Sequence, residues 1–208
     1  FESHLERLRA YHRAALMKRV GVAFVHVPRT AGSSISHLLY HRFIGHFPVH
    51  ALDALDDQDV QALPRFAVVR NPWDRLASAY RFAVAGGGKG PLAAKVAPHV
   101  AREVAKAGSF ERFVKEWLPA RAAGSLDGVF RPQTYYLCNE RDELPFDHLG
   151  KLSQLYRTEE WLSDILRQRI RLPRANETPE NIVATRYDGE MIDITAKIYK
   201  PDFVRLDY

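Results

Sequence analysis

The chain has 208 residues, of which 46% are hydrophobic and 26% are charged, and its formal net charge is +5. These values suit one globular domain with a sizeable core. The single cysteine, Cys138, excludes an intramolecular disulfide and a multi-cysteine metal site, and it fits a reducing compartment. No stretch approaches the roughly 20 apolar residues of a membrane span. The arginines and lysines are scattered, which does not favour nucleic acid as a partner.

The chain opens with a predicted basic helix, residues 1–20, because Leu5, Leu8 and Ala15 follow helical spacing. Residues 22–27 then form an apolar, strand-like run, and a helical apolar pattern starts again at Ile35. A strand, a tight loop and a helix N-terminus direct backbone N–H groups and the helix dipole at an anion. The predicted anion-binding loop consists of Arg29, Thr30, Ala31, Gly32, Ser33 and Ser34.

A second strand-to-helix corner follows. Residues 65–70 form a short apolar run that is typical of a buried parallel strand, and Pro72 sits where the first helical position is expected. Arg70 ends the strand and is therefore a second candidate anion ligand. The helical periodicity places Arg75 and Ser78 on the polar face of the next helix.

The rest of the chain continues the alternation of helices and strands. The patterns predict helices over 53–62, 92–105, 110–117 and 190–199, a strand over 146–152, and a helix capped by Thr158 that buries Leu162 and Ile165. Strands alternating with helices predict an α/β class with a mostly parallel sheet.

Together the two corners resemble the sulfotransferases that use 3′-phosphoadenosine 5′-phosphosulfate (PAPS) as donor, most closely the carbohydrate sulfotransferase branch. Val27–Ser34 is similar to that family's 5′-phosphosulfate loop. Phe66–Tyr80 is similar to its 3′-phosphate motif, in which the residues equivalent to Arg70 and Ser78 hold the 3′-phosphate. The likeness covers nearly the whole chain from about Val20.

The resemblance implies one domain, 1–208, with a P-loop-like three-layer fold in which helices flank a mostly parallel central sheet. Residues 84–135 would form a helical and loop insertion that shapes the acceptor site. Residues 29–34 would bind PAPS, the donor co-substrate, without a metal. Arg29 stands where the family usually has Lys, and Ser153 where it often has Glu. An arginine keeps the charge but hardly ever releases a proton, so a proton-donor role is not carried over to Arg29.

The resemblance also implies a catalytic histidine shortly before the second anion-binding strand. His50 lies twenty residues before Arg70 and is the first candidate for the base, with His46 second. His26 lies inside the first strand and is expected to be buried structure. His50 would accept the proton of the acceptor hydroxyl, while Arg29 stabilises the departing 5′-phosphate in a loose, in-line transfer.

The acceptor implied by the resemblance is a hydroxyl of a carbohydrate or glycoconjugate. The expected location is the cytoplasm if the protein is bacterial, and a signal or membrane anchor before Phe1 stays an open alternative. Two other functions also stay open: a P-loop-like kinase or phosphotransferase, and a non-catalytic relative that binds an anion or a glycan. The kinase reading predicts a Walker-type lysine, which the first loop lacks.

Overall fold

The computed structural model describes residues 2–88, 95–172 and 184–208. The chain forms two compact units, the first from Phe1–Arg70 and Gln133–Ala175 and the second from Asn71–Pro132 and Asn176–Tyr208. The elements in chain order are α1 (Glu2–Val20), β1 (Ala23–Val25), α2 (Gly32–Tyr40), α3 (His50–Asp53), α4 (Gln58–Gln61), β2 (Arg65–Val69), α5 (Pro72–Val84), α6 (Pro98–Ala107), α7 (Phe110–Arg112) with a π-helical turn (Phe113–Trp117), 3-10 turns (Ala123–Ser125, Gly128–Phe130), α8 (Thr134–Leu137), β3 (His148–Lys151), a 3-10 turn (Leu152–Gln154), α9 (Leu155–Leu166), α10 (Gly189–Ile198) and α11 (Lys200–Arg205).

The first unit is built on a sheet of three parallel strands in the order β1-β2-β3. Val25 lies opposite Ala67, and Val69 lies opposite Lys151. Every residue of β1 and β2 is buried, as expected for parallel strands that are covered by helices. The carboxyl ends of the strands meet at one edge of the sheet, and both predicted anion sites follow directly from that edge. This α/β architecture confirms the predicted fold class.

Helices cover the sheet of the first unit through apolar side chains. The predicted N-terminal helix is confirmed as α1, but the face chosen for it was wrong: Leu5, Leu8 and Ala15 are exposed. The buried face consists of Ala10, Ala14 and Met17. Trp161 of α9 packs its ring 5.5 Å from that of Phe66 in β2. With such contacts, the side chains of β1 and β2 are buried away from water.

Several predicted elements of the first unit were wrong in detail. The helix expected over 53–62 is divided into α3 and α4, because Asp57 starts a new helix by accepting a hydrogen bond from the Val60 N–H. Thr158 does not cap α9; it lies fully buried inside that helix, 3.0 Å from His148 Nε2. Ile165, expected in the core, is 38% exposed.

The second unit has an aromatic core in which Tyr80 of α5 contacts Phe110 and Phe113. The prediction that Arg75 and Ser78 lie on a polar face was wrong, because both are buried. Arg75 is 1% exposed, and its guanidinium donates to the carbonyls of Val129 and Arg131. Arg75 is therefore a structural residue that satisfies one carbonyl within a 3-10 turn and one directly after it.

None of the described helices combines the length and the hydrophobicity that a membrane-spanning segment needs. The predicted insertion, 84–135, contains α6, α7 and two of the 3-10 turns, and its residues 89–94 lie outside the described residues. The organisation of 1–208 as one domain stays a prediction.

The close packing of β3 against α9 generates a stability prediction. A Cβ added at Gly150 would overlap the Thr158 hydroxyl oxygen, so Gly150→Ala should destabilise the protein by about 1–3 kcal/mol. In a Thr158→Ala background the same substitution should cost less, because the overlapping oxygen is gone. Urea unfolding of the four proteins of this cycle measures both effects.

Gly189→Ala is the matched control, since a Cβ there would meet nothing within 4 Å. Its effect should stay within about 0.5 kcal/mol. Equal costs for Gly150→Ala in the two backgrounds would contradict the predicted overlap.

Candidate functional site

The first predicted anion loop adopts a strained backbone after β1. Arg29 has φ 70° and Ala31 has φ 66°, so two non-glycine residues occupy the left-handed region on either side of Thr30. Such residues cost of order 1–3 kcal/mol each and persist only where surrounding contacts hold them. One such contact is the Thr30 hydroxyl, which donates to the Val27 carbonyl at 2.9 Å. Alternating φ signs turn successive N–H groups toward one side, which is the geometry of an anion-binding concavity.

Helix α2 begins directly from this loop. Its N-cap residue, Ala31, makes no side-chain capping hydrogen bond, and its first turn has no acidic residue. A helix leaves its first N–H groups without partners inside the helix, and an alanine cannot accept from them. The N-terminus of α2 therefore offers N–H donors and a positive dipole end to an external anion.

Gly32, the first residue of α2, is required by its contact with His26. A Cβ at this position would overlap the His26 ring, so only glycine lets the loop lie on the imidazole. His26 is 2% exposed, which confirms that it is buried structure. Burial lowers the pKa of His26 well below its usual value; electrostatic interaction with His46 and Arg29 acts in the same direction, and a hydrogen bond with the Gly45 backbone opposes it. His26 is thus an uncharged side chain that packs against the loop.

His46 belongs to an aromatic cluster beside this side chain. Its Nδ1 lies 3.1 Å from the His26 carbonyl oxygen, and the two rings are 4.1 Å apart. Its ring also lies 5.4 Å from that of Phe43 and 6.5 Å from that of Tyr136. His46 is therefore held beside the anion loop.

His50 is the first residue of the short helix α3, and it is half-buried. The preceding N–H, of Val49, donates to the Tyr136 carbonyl at 2.8 Å. This bond fixes the start of α3 to α8. The catalytic role of His50 stays a prediction.

Arg70 is held in place by a residue that sequence reasoning did not select. The Gln133 side chain accepts from the Arg70 N–H at 3.0 Å and donates to the Arg70 carbonyl at 2.8 Å. Gln133 is completely buried, and a buried amide in an otherwise apolar interior needs such partners. The only signal in the sequence was its place in the Arg131-Pro132-Gln133 segment, which carries no information about its partner.

The first unit also brings the two predicted anion sites together. Arg70 Nη1 donates to the Arg29 carbonyl at 3.4 Å, so the guanidinium at the end of β2 reaches the loop that follows β1. Two half-buried arginines, Arg29 and Arg70, thus concentrate positive charge at the carboxyl edge of the sheet. This arrangement suits a ligand with more than one anionic group.

The other predicted site residues have different surroundings. Ser33 is half-buried and Ser34 is buried, both in the first turn of α2. Ser78 is buried in α5 of the second unit, and its role as a phosphate ligand stays a prediction. Ser153 is exposed in the turn after β3. No group of three or more His, Cys, Asp or Glu that could hold a metal ion occurs in residues 2–88, 95–172 and 184–208.

Comparison with known proteins gives one positive result. A model of the sulfotransferase family matches residues 14–208, which includes every site residue discussed above. A search of curated proteins and a search of solved structures each returned no significant match.

The buried His26 generates a prediction about pH. The unfolded imidazole binds a proton near pH 6.5, whereas the folded one has a lowered pKa and stays neutral. The unfolded state therefore binds more protons below pH 6.5, and the free energy of unfolding should fall as the pH drops from 7.5 to 5.5. Urea unfolding at several pH values measures this slope, and His26→Gln should flatten it.

His99→Gln replaces an exposed imidazole on α6 and is the control for this experiment. It should keep the wild-type slope. An unchanged slope in His26→Gln would show that His26 does not resist protonation.

Proposed function

Because the chain belongs to the sulfotransferase family, we propose that it transfers a sulfuryl group from PAPS to a hydroxyl of a carbohydrate or glycoconjugate. The observation that supports this most is the bond from the Arg70 guanidinium to the Arg29 carbonyl, which joins the two predicted phosphate sites. A donor with phosphate groups at both its 5′ and 3′ positions has the matching chemistry.

The 5′-phosphosulfate would bind at the loop from Arg29 to Ser34. The uncapped N-terminus of α2 supplies N–H donors there, and Arg29 supplies a fixed positive charge. Gly32 allows this loop to lie against the His26 ring, which supports the backbone from the side. The 3′-phosphate would be held by Arg70, with Ser78 as the second ligand that the resemblance implies.

The reaction then follows from charge and proton balance. The acceptor oxygen attacks sulfur, the bond from sulfur to the 5′-phosphate oxygen breaks, and His50 takes the hydroxyl proton. The products are a sulfate ester and 3′-phosphoadenosine 5′-phosphate (PAP). Arg29 stabilises the negative charge of the departing phosphate and keeps its own proton. Catalysis would depend on position and electrostatics, as in phosphoryl transfer.

The donor assignment is tested by comparing PAP with adenosine 5′-phosphate (AMP), which lacks the 3′-phosphate. PAP should bind at least about tenfold more tightly, because charged hydrogen bonds to the 3′-phosphate contribute roughly 1.5–3 kcal/mol. Isothermal titration calorimetry measures both affinities. Equal affinities, or no binding of either nucleotide, would refute PAPS as the donor.

Arg70→Gln should remove most of this preference. The control Arg112→Gln changes the net charge equally, at an exposed arginine that pairs with Glu116 in the π-helical turn after α7. It should retain the preference for PAP.

The assignment of the base is tested with His50→Ala. Turnover should fall by about 10²–10⁴-fold, while the affinity for PAP stays nearly unchanged, because the imidazole acts on the acceptor and not on the nucleotide. Release of PAP from PAPS in the presence of a carbohydrate acceptor mixture measures turnover. His99→Ala is the control and should remain active. A fully active His50→Ala variant would move the base to another residue, with His46 the next to test.

A further inference from the structure

We propose that Gln133 is a positioning residue that couples the two phosphate sites, because it fixes Arg70, and Arg70 in turn fixes the backbone of Arg29. The proposal rests on the proposed function, since it concerns how the same donor site is held. It gives Arg70 a second role, which is to support the loop from Arg29 to Ser34 (the 5′ loop) even when no 3′-phosphate is bound.

The first step of the coupling is the contact between Gln133 and the Arg70 backbone. The pairing of β2 with β3 ends at Val69 and Lys151, so Arg70 is the first residue beyond the ladder. The Gln133 amide accepts from its N–H and donates to its carbonyl, as a neighbouring strand would do. Since Gln133 is completely buried, water does not replace these bonds if the amide is removed. The direction in which Arg70 leaves the sheet thus depends on Gln133.

The second step is the contact between Arg70 and the 5′ loop. A guanidinium has five N–H donors, so Arg70 can bond the Arg29 carbonyl and still present donors to a phosphate. Arg29 is in the left-handed region, where a non-glycine residue needs outside contacts to stay. The bond from Arg70 is one of those contacts, and it holds the peptide that precedes Thr30.

The segment that begins at Gln133 also reaches the candidate base. Tyr136, three residues on in α8, accepts the hydrogen bond from Val49, the residue before His50. The same four residues, 133–136, therefore contact the backbone at the 3′-phosphate site and at the start of α3. A displacement of the Gln133 amide would act on Arg70 directly, because both the N–H and the carbonyl of Arg70 are bonded to it.

The test uses AMP, which has the 5′-phosphate and no 3′-phosphate. The affinities are measured in about 1 M salt, where the attraction between separated charges is largely screened. If Arg70 only bound the 3′-phosphate and added positive charge, Arg70→Ala would leave the AMP affinity unchanged under these conditions. The coupling predicts that Arg70→Ala weakens AMP binding by about three- to tenfold, the effect of about one hydrogen bond. Gln133→Met, which has a similar size and no amide, should weaken both AMP and PAP. Isothermal titration calorimetry gives the affinities, and the affinity for AMP is also measured by its competition with PAP.

Thr158→Val is the matched control for lost stability. It also removes a buried polar group of the first unit, but its partner, His148, pairs with Phe66 near the other end of the strands. Thermal unfolding of the three variants shows how much each destabilises the fold. Thr158→Val should lower the melting temperature and leave both nucleotide affinities unchanged, which separates a general loss of stability from a loss of position.

The outcomes distinguish the two proposals. Wild-type AMP affinity in Arg70→Ala overturns the coupling, and a preference of the wild-type protein for PAP would still support PAPS as the donor. Equal wild-type affinities for PAP and AMP overturn the donor assignment itself. If Gln133→Met does not fold, the AMP result for Arg70→Ala decides the coupling. If Gln133→Met folds and binds both nucleotides normally, Gln133 has no positioning role.

Discussion

The candidate site depends on how the chain leaves the sheet at the end of β2. A strand that ends at a sheet edge must find new partners for its next N–H and carbonyl, or those groups are buried unpaired. Here a single buried amide, Gln133, satisfies both groups of Arg70. The guanidinium of Arg70 is then able to reach the Arg29 carbonyl in the neighbouring loop. The order of the strands is what makes this contact possible, because β1 and β2 are parallel neighbours and end at the same edge.

The predicted anion loop, Arg29 to Ser34, is maintained by packing as much as by hydrogen bonds. Gly32 packs directly against the His26 ring, so this contact determines how closely the start of α2 approaches β1. Burial keeps that imidazole neutral at neutral pH, and it therefore adds no positive charge to the loop. The positive potential of the loop comes from Arg29, Arg70 and the N-terminus of α2. Charge and shape are thus supplied by different residues.

Arginines in this protein have two separate kinds of role. Arg29 and Arg70 are half-buried at the edge of the sheet, where an anionic ligand can compete for their donors. Arg75, only five residues after Arg70, is buried, and its guanidinium donates hydrogen bonds to the Val129 and Arg131 carbonyls. Arg70 and Arg75 are the same residue type and lie close together in the sequence. What differs is the burial of each guanidinium and the acceptors within its reach.

The sequence by itself determined the α/β class, the strands that precede each anion loop, and the helix that starts at Pro72, because these depend on neighbours within a few residues. It also identified Arg29, Gly32 and Arg70 as site candidates from local chemistry. Only the tertiary structure decided the role of Gln133, whose partner lies 63 residues away, and the burial of Arg75, whose acceptors lie 54 and 56 residues away. It likewise decided that Thr158 lies inside α9 against His148 and does not cap it. Local periodicity shows which face of an element is apolar, but the partner of a buried polar group is chosen by the packing of distant segments, and no local pattern encodes that choice.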